Sequence, residues 1–325
     1  MRPKIKNSTI LVTGGAGFIG SHLVEQLMMN EAKQVIVVDN MFLGNRENLS
    51  DALSKGMVLY VDDAELNGSL EYIIEKHKID IVFNCATKAL NYSFINPSNA
   101  YMTNVIVLNN LLELQRKGAF KTLCHFSSSE VYGSAQYEPM DEQHPILPTT
   151  AYAAGKAAAD TMLHSYVNMF GLDAFIVRPF NNYGPRQNYE GPLSGVIPAT
   201  IMKLLNGDPP EIHGTGLQSR DYIYVVDTID SIIKVYDVIK RGDCVNIAAG
   251  NHIAIKEIIL KISKILNYKG PILYKDCRPA DVACHHAGNQ KIKSMIDFNL
   301  VDFDEGLLKT VRWYKEIYNK RNVLK

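Results

Sequence analysis

The chain is poor in the features that mark specialised classes of protein. It has one tryptophan and five cysteines, and its charges cancel: Lys+Arg and Asp+Glu each number 34 in 325 residues. A balanced chain offers no broad field for nucleic acid or an acidic membrane surface, so neither is expected as a partner. No apolar run approaches the roughly 20 residues that cross a bilayer. Met1 to Ser8 carry Arg2, Lys4 and Lys6 with no apolar stretch behind them, so no secretory leader is expected. The cysteines (Cys85, Cys124, Cys244, Cys277 and Cys284) are odd in number and irregularly spaced. They read as reduced thiols of a cytoplasmic protein. The group Cys277, Cys284, His285 and His286 lacks the paired short spacings of a structural zinc site, and no metal is expected.

What the chain does have is alternation. Ile10–Thr13, Val35–Asp39, Met57–Val61, Ile79–Cys85, Thr122–Ser127 and Ala174–Arg178 are short β-branched runs that read as buried strands. Between them lie segments with helical spacing: Gly17–Met29, Gly68–Lys76, Tyr101–Lys117 and Tyr152–Phe170. Strand–helix alternation predicts an α/β fold, a Rossmann-type doubly wound parallel sheet covered on both faces. After Pro179 the texture changes to Pro- and Gly-rich loops around helices predicted at Val196–Asn206, Val226–Lys240, Ile255–Asn267 and Asp304–Asn319. The expected organisation is a first domain over 1–180 and a smaller, interleaved α/β substrate domain over 181–325, some of whose segments return to the first. No linker separates the halves, so a shared cleft is expected.

Thr13-Gly14-Gly15-Ala16-Gly17-Phe18-Ile19-Gly20 ends the first strand and opens the first helix. Gly14 permits the tight turn, Gly17 admits close approach of a pyrophosphate, and Gly20 allows helix and strand to touch. The free N–H groups of the helix start then face the phosphates. Asp39 ends the next strand, where a carboxylate binds ribose hydroxyls and repels a 2′-phosphate, which favours NAD over NADP. Asp62, after the third strand, is expected at the adenine edge. Phe18, Ile19, Asn40, Ala86, Lys88, Asn104, Tyr152 and Lys156 are further expected cofactor positions.

Tyr152 and Lys156 are four residues apart in a helical segment and share one face. A free tyrosine has a pKa of about 10. A nearby ammonium and a positive nicotinamide favour phenolate, which can take a proton from a sugar hydroxyl as hydride leaves its carbon. Phe126-Ser127-Ser128-Ser129-Glu130-Val131-Tyr132-Gly133 follows a strand at its carboxyl end. Ser128 is expected to bond the reacting hydroxyl, with Ser129 and Glu130 beside it.

The glycine turn, the Ser-Ser-Ser-Glu-Val-Tyr-Gly segment, the Tyr152/Lys156 pair and Arg178-Pro179-Phe180-Asn181-Asn182-Tyr183-Gly184-Pro185-Arg186 together resemble the extended short-chain dehydrogenase/reductase family. Within it the likeness is to the nucleotide-sugar epimerase/4,6-dehydratase group, and it covers essentially the whole chain. The resemblance implies that Asn181 touches a substrate diphosphate and that Arg220 and Arg278 clamp nucleotide phosphates, a task suited to guanidinium. Asn104 matches a structural asparagine of the family. The loop Asn84-Cys85-Ala86-Thr87-Lys88-Ala89 departs from it, since many relatives carry His-Leu-Ala-Ala or His-x-Ala-Gly there.

The resemblance also implies oxidation of the sugar at C4 and leaves the following step open. Glu130 favours a 4,6-dehydratase, because a carboxyl group is needed near C5 and C6. Simple 4-epimerases usually carry a small or hydroxyl residue there. Many dTDP-glucose dehydratases carry an Asp-Glu pair, whereas Ser129 precedes Glu130 here. Arg186 could pair with a 6-carboxylate, as a UDP-glucuronate decarboxylase would need. A non-catalytic NAD-binding module is the reading furthest from these, and such chains typically lose the tyrosine or lysine. A homodimer packing Tyr101–Lys117 and Tyr152–Phe170 across a two-fold axis is implied, and Ala153, Ala154, Ala157, Ala158 and Ala159 permit close helix approach.

Overall fold

The computed structural model describes residues 2–276 and 284–323. Six strands alternate with helices in the order the sequence predicts, with one short helix, α2, that it does not: β1 (Thr9–Thr13), α1 (Phe18–Met29), β2 (Gln34–Asp39), α2 (Ser50–Ser54), β3 (Val58–Val61), α3 (Asn67–His77), β4 (Ile81–Asn84), α4 (Pro97–Arg116), β5 (Thr122–Phe126), α5 (Ala151–Phe170) and β6 (Asp173–Pro179). A seventh strand, Cys244–Ile247, is not among the predicted runs, since the polar Asn246 interrupts its apolar pattern. It pairs in parallel with β6, Val245 opposite Val177. The sheet order is Cys244–Ile247, β6, β5, β4, β1, β2, β3. Every pair is parallel, and the chain turns to opposite sides of β1 to make β2 and β4. The crevice above the carboxyl ends of β1 and β4 is therefore the switch point where such sheets bind ligands.

Strand periodicity sorts the side chains into two cores. Ile10, Val12, Val35, Val37, Ile81 and Phe83 point to the face covered by Leu23, Val24 and Leu27 of α1 and by Ile229, Ile232 and Val235. Leu11, Ile36, Val38 and Val82 point to the other, with Ile73 of α3, Leu108 and Leu111 of α4 and Leu163 of α5. Each fully buried aliphatic side chain contributes about 1.5–3 kcal/mol. The helix Val225–Val238 and the strand Cys244–Ile247 thus belong with the large sheet although they follow Pro179. A third core joins Ile197, Ile201, Tyr222, Tyr224, Ile258, Ile262, Leu307 and Tyr314.

Two helix starts fix the site. Thr150 caps α5, its side chain accepting from the Ala153 N–H, so Tyr152 lies in the first turn with Lys156 one turn on. Asn96 caps α4, with Pro97 in the first turn, which starts that helix one turn earlier than its apolar spacing predicts. A Cβ on Gly155 would lie 2.6 Å from the Tyr101 carbonyl oxygen, so α4 and α5 are in close contact within one chain. Ala153, Ala157 and Ala159 are buried in the chain's own packing. These alanines are accounted for without a second subunit.

Candidate active site

A cleft of about 730 Å³ opens at the switch point. On one side Gly14, Gly17, Phe18, Ile19 and Gly20 line it. Gly14 sits at φ 68°, and a Cβ there would meet Ala86 backbone at 2.8 Å. A Cβ on Gly20 would lie 2.3 Å from the Gly14 carbonyl oxygen. Backbone alone fits here. The start of α1 has neither a capping side chain nor an acid in its first turn, which leaves its N–H groups for an anionic ligand. Asp39 is 8% exposed on the cleft wall. It accepts from the Ala16 N–H (2.9 Å) and the Met41 N–H (2.8 Å), and burial holds its carboxyl above the ordinary value. These features fit a dinucleotide.

Asn40, Ala86 and Lys88 line the same wall. Lys88 is buried, its Nζ 4.2 Å from the centre of the Phe42 ring. Two expected positions fall elsewhere. Asp62 does not reach the cleft and accepts from the Asp63 N–H; the carboxylate on the wall is Asp63, which accepts from Asn40 Nδ2 at 2.9 Å. The strand end turns here, and the register decides between adjacent acids that composition cannot separate. Asn104 is buried under the cleft, accepting from Thr87 Oγ1 at 2.7 Å and donating to the Ala100 carbonyl. It acts on the cleft through Thr87.

Tyr152 and Lys156 meet Ser128 and Glu130 in the middle of the cleft. Ser128 and Thr87 beside the Tyr152 phenol favour phenolate, but burial outweighs them and pushes it up to about 12. The sequence leads one to expect a lowered value. In the protein alone desolvation wins, and Lys156 is committed elsewhere: its Nζ donates to the Phe126 carbonyl at 2.6 Å. Burial pushes the Lys156 ammonium down to about 8, with Asp160 acting against it. Ser128 caps a turn over Ser129–Tyr132, accepting from the Glu130 N–H. That turn aims Glu130 into the cleft and buries Ser129 at 2% exposure, so Ser129 does not line it. Behind Glu130 stands His285, whose Nδ1 is 3.9 Å from Glu130 Oε1.

The far wall comes from the second half. Asn181 lines it, with a buried Nδ2 that has no hydrogen-bond partner among the described residues. Such an orphan donor is costly unless a ligand meets it. Asn182 and Gln187 present buried unpaired amide oxygens beside it. Arg220 lines the same wall, along with Lys203, Glu211, His213 and Gln218, none of which has a sequence pattern that would single it out. Arg186 does not line the cleft. Its φ of 69° turns it toward α1, where Nη2 pairs with Glu25 Oε1 at 2.5 Å. Arg278 lies outside the described residues.

Among the described residues, no helix is long and apolar enough to cross a membrane. The UDP-glucose 4-epimerase of Thermotoga maritima, solved with UDP-glucose, superposes with a TM-score of 0.90 at 30% identity, over 95% of this chain and 99% of that one. The dTDP-glucose 4,6-dehydratase of Streptomyces venezuelae, solved with NAD, gives 0.91 at 30% identity over 96% and 98%. UDP-glucuronic acid decarboxylase 3 of Arabidopsis thaliana is 31% identical over 93% of this chain and 87% of its own length. The three perform different reactions at nearly equal distance, so likeness alone does not choose between them. The NAD dependent epimerase/dehydratase family matches residues 10–248, which include the glycine turn, Asp39, Glu130, Tyr152 and Lys156. The chain belongs to the NAD dependent epimerase/dehydratase family, and NAD is that family's cofactor.

Proposed function

We propose that this chain is a nucleotide-sugar 4,6-dehydratase acting through a 4-keto sugar. The observation that carries the reading is Glu130, a carboxylate on the cleft wall beside Ser128 and close enough to Tyr152 for its charge to oppose phenolate. Gly14, Gly17, Phe18, Ile19 and Gly20 would hold the NAD pyrophosphate, Asp39 and Asn40 a ribose, and Asp63 the adenine edge. Ala86, Lys88, Tyr152 and Lys156 would border the nicotinamide half, with Asn104 steadying Thr87. Asn181 and Arg220 would take the substrate diphosphate. When bound, NAD would supply a hydride acceptor for C4 oxidation and, once reduced, a hydride donor for C6.

Tyr152, as the phenolate that the positive charge of a bound nicotinamide would favour, takes the C4 hydroxyl proton, with Ser128 orienting that hydroxyl. The ketone acidifies C5–H, and the Glu130 carboxylate removes that proton. The same carboxyl protonates the departing C6 hydroxyl, which leaves as water. Two protons are released, one from O4 and one from C5, and two are used, one in water and one at C5 as C6 is reduced.

A 4-epimerase is the second reading. It is favoured by Ser129, which is no acid and is buried where an acid pair would supply its second carboxyl. The decarboxylase reading loses support because Arg186 is paired with Glu25. A non-catalytic module does not need Tyr152 and Lys156 together in a cleft. The homodimer expectation draws support from Met102, Met169 and Phe170, which stand exposed on α4 and α5. Light scattering tests it.

The deciding experiment is turnover of a nucleotide-sugar panel in deuterated water, followed by NMR. The dehydratase gives solvent deuterium at C5 and a new C6 methyl. Inverted C4 without deuterium means epimerase, and loss of C6 means decarboxylase.

A further inference from the structure

Beneath the cleft a chain of buried side chains crosses the sheet. The Ala86 N–H donates to Thr13 Oγ1 (3.3 Å), and Thr13 donates to Asn84 Oδ1 (2.7 Å). Asn84 Nδ2 lies 3.1 Å from His125 Nδ1. Since the Asn84 oxygen is taken by Thr13, its nitrogen donates, which makes Nδ1 the acceptor and puts the imidazole proton on Nε2. That Nε2 faces Asp160 Oδ1 at 3.8 Å. Neither atom has a hydrogen-bond partner among the described residues, and both side chains are 1% exposed. The other oxygen, Oδ2, accepts from Ser127 Oγ (2.7 Å) and from Arg178 Nε and Nη2 (3.1 and 2.9 Å).

Every donor in this chain points the same way, from the cofactor loop to the Asp160 carboxylate. Lys156 is buried one helical turn before Asp160 and needs a counter-charge to remain an ammonium. At 3.8 Å the Nε2–H dipole still attracts the carboxylate in a dry interior. We propose that His125, in its neutral Nε2–H form fixed by Asn84, is a positioning residue that keeps Asp160 ionised and thereby Lys156 in its ammonium form. Asn84 and His125 are register partners at the carboxyl ends of β4 and β5.

Burial and the neighbouring charges act in opposite directions on Asp160, whose carboxyl lies above its ordinary value. Burial, then Lys156 and Arg178, disfavours imidazolium at His125. Burial pushes Asp160 up, while Arg178, Ser127 and Lys156 pull it down. Cys85 also faces Lys156 and stays a thiol, because burial opposes its ionisation.

The inference rests on Lys156 serving the oxidation step. The test uses NAD-loaded enzyme and follows reduced cofactor at 340 nm in a single turnover across pH. His125→Phe keeps a ring of similar size and removes the Nε2–H dipole that faces Asp160; its alkaline limb should move down by a few tenths of a pH unit, a shift of about two-fold in the ammonium fraction. His125→Gln can accept from Asn84 and donate to Asp160, and should restore the limb. A folded, NAD-loaded His125→Phe enzyme with the wild-type profile overturns the proposal. Should that variant not fold, nitrogen-15 NMR of the wild-type histidines decides: His125 as the Nδ1–H tautomer or as imidazolium near pH 7 also overturns it. If Lys156→Met oxidises substrate normally, the catalytic reading itself has failed, a result distinct from either of these.

Discussion

Lys156 Nζ lies 2.6 Å from the main-chain carbonyl oxygen of Phe126, the last residue of β5. One hydrogen bond thus joins helix α5 to the strand whose next residues carry Ser128 and Glu130. The cation and the acid that line the cleft are placed by the same strand end. Tyr152, one turn back on α5, is set by the same anchor, and it is the first target for mutation.

Tyr152→Phe removes the group assigned to take the C4 proton. Turnover should fall by about 10²–10⁴ with NAD still bound. Product formation from a nucleotide-sugar panel is the measurement, and unaltered turnover would sink the mechanism.

Glu130→Gln separates the proposed steps. Oxidation at C4, seen as reduced cofactor at 340 nm, should survive, whereas C5 deuterium exchange should drop by about 10² or more. An enzyme whose products and rates are untouched by this change is not using Glu130 for elimination, and the epimerase reading then gains.

Lys156 gives a pH signature in stability. Its folded pKa, about 8, lies below the ordinary 10.5. Between those values the unfolded chain binds the extra proton, so the contribution of this residue to stability rises with pH through the window. Below about 8 both states hold the proton and the burial penalty is constant. Urea midpoints taken from pH 8 to 10 should climb less steeply in Lys156→Met than in the wild type. Equal slopes would mean that Lys156 does not titrate there.

Gly20→Ala tests the glycine turn. The new Cβ would sit 2.3 Å from the Gly14 carbonyl oxygen and 2.9 Å from Gly15 Cα, both backbone atoms with little room to move. The expected cost is about 1–3 kcal/mol in urea unfolding, with weaker retention of NAD. Gly68→Ala is the control, since nothing lies within 4 Å of its new Cβ and it sits in helix α3. A Gly20→Ala protein as stable as that control would contradict the close contact.

The sequence alone determined the parts whose physics is local. Alternating β-branched runs made a parallel sheet, three glycines at fixed spacing made the turn before α1, and a four-residue interval put Tyr152 and Lys156 on one helical face. Side-chain direction at chain turns, and contacts between distant segments, were settled by the fold. A strand end selected Asp63 over Asp62, a left-handed backbone sent Arg186 to Glu25, and a single turn aimed Glu130 outward while burying Ser129. His285 reaches Glu130, and His125 faces Asp160, across gaps of 155 and 35 residues that no periodicity encodes. Local spacing fixes which residues share an element. Only closure of the sheet and its two cores fixes which elements meet, and therefore which charges act on one another.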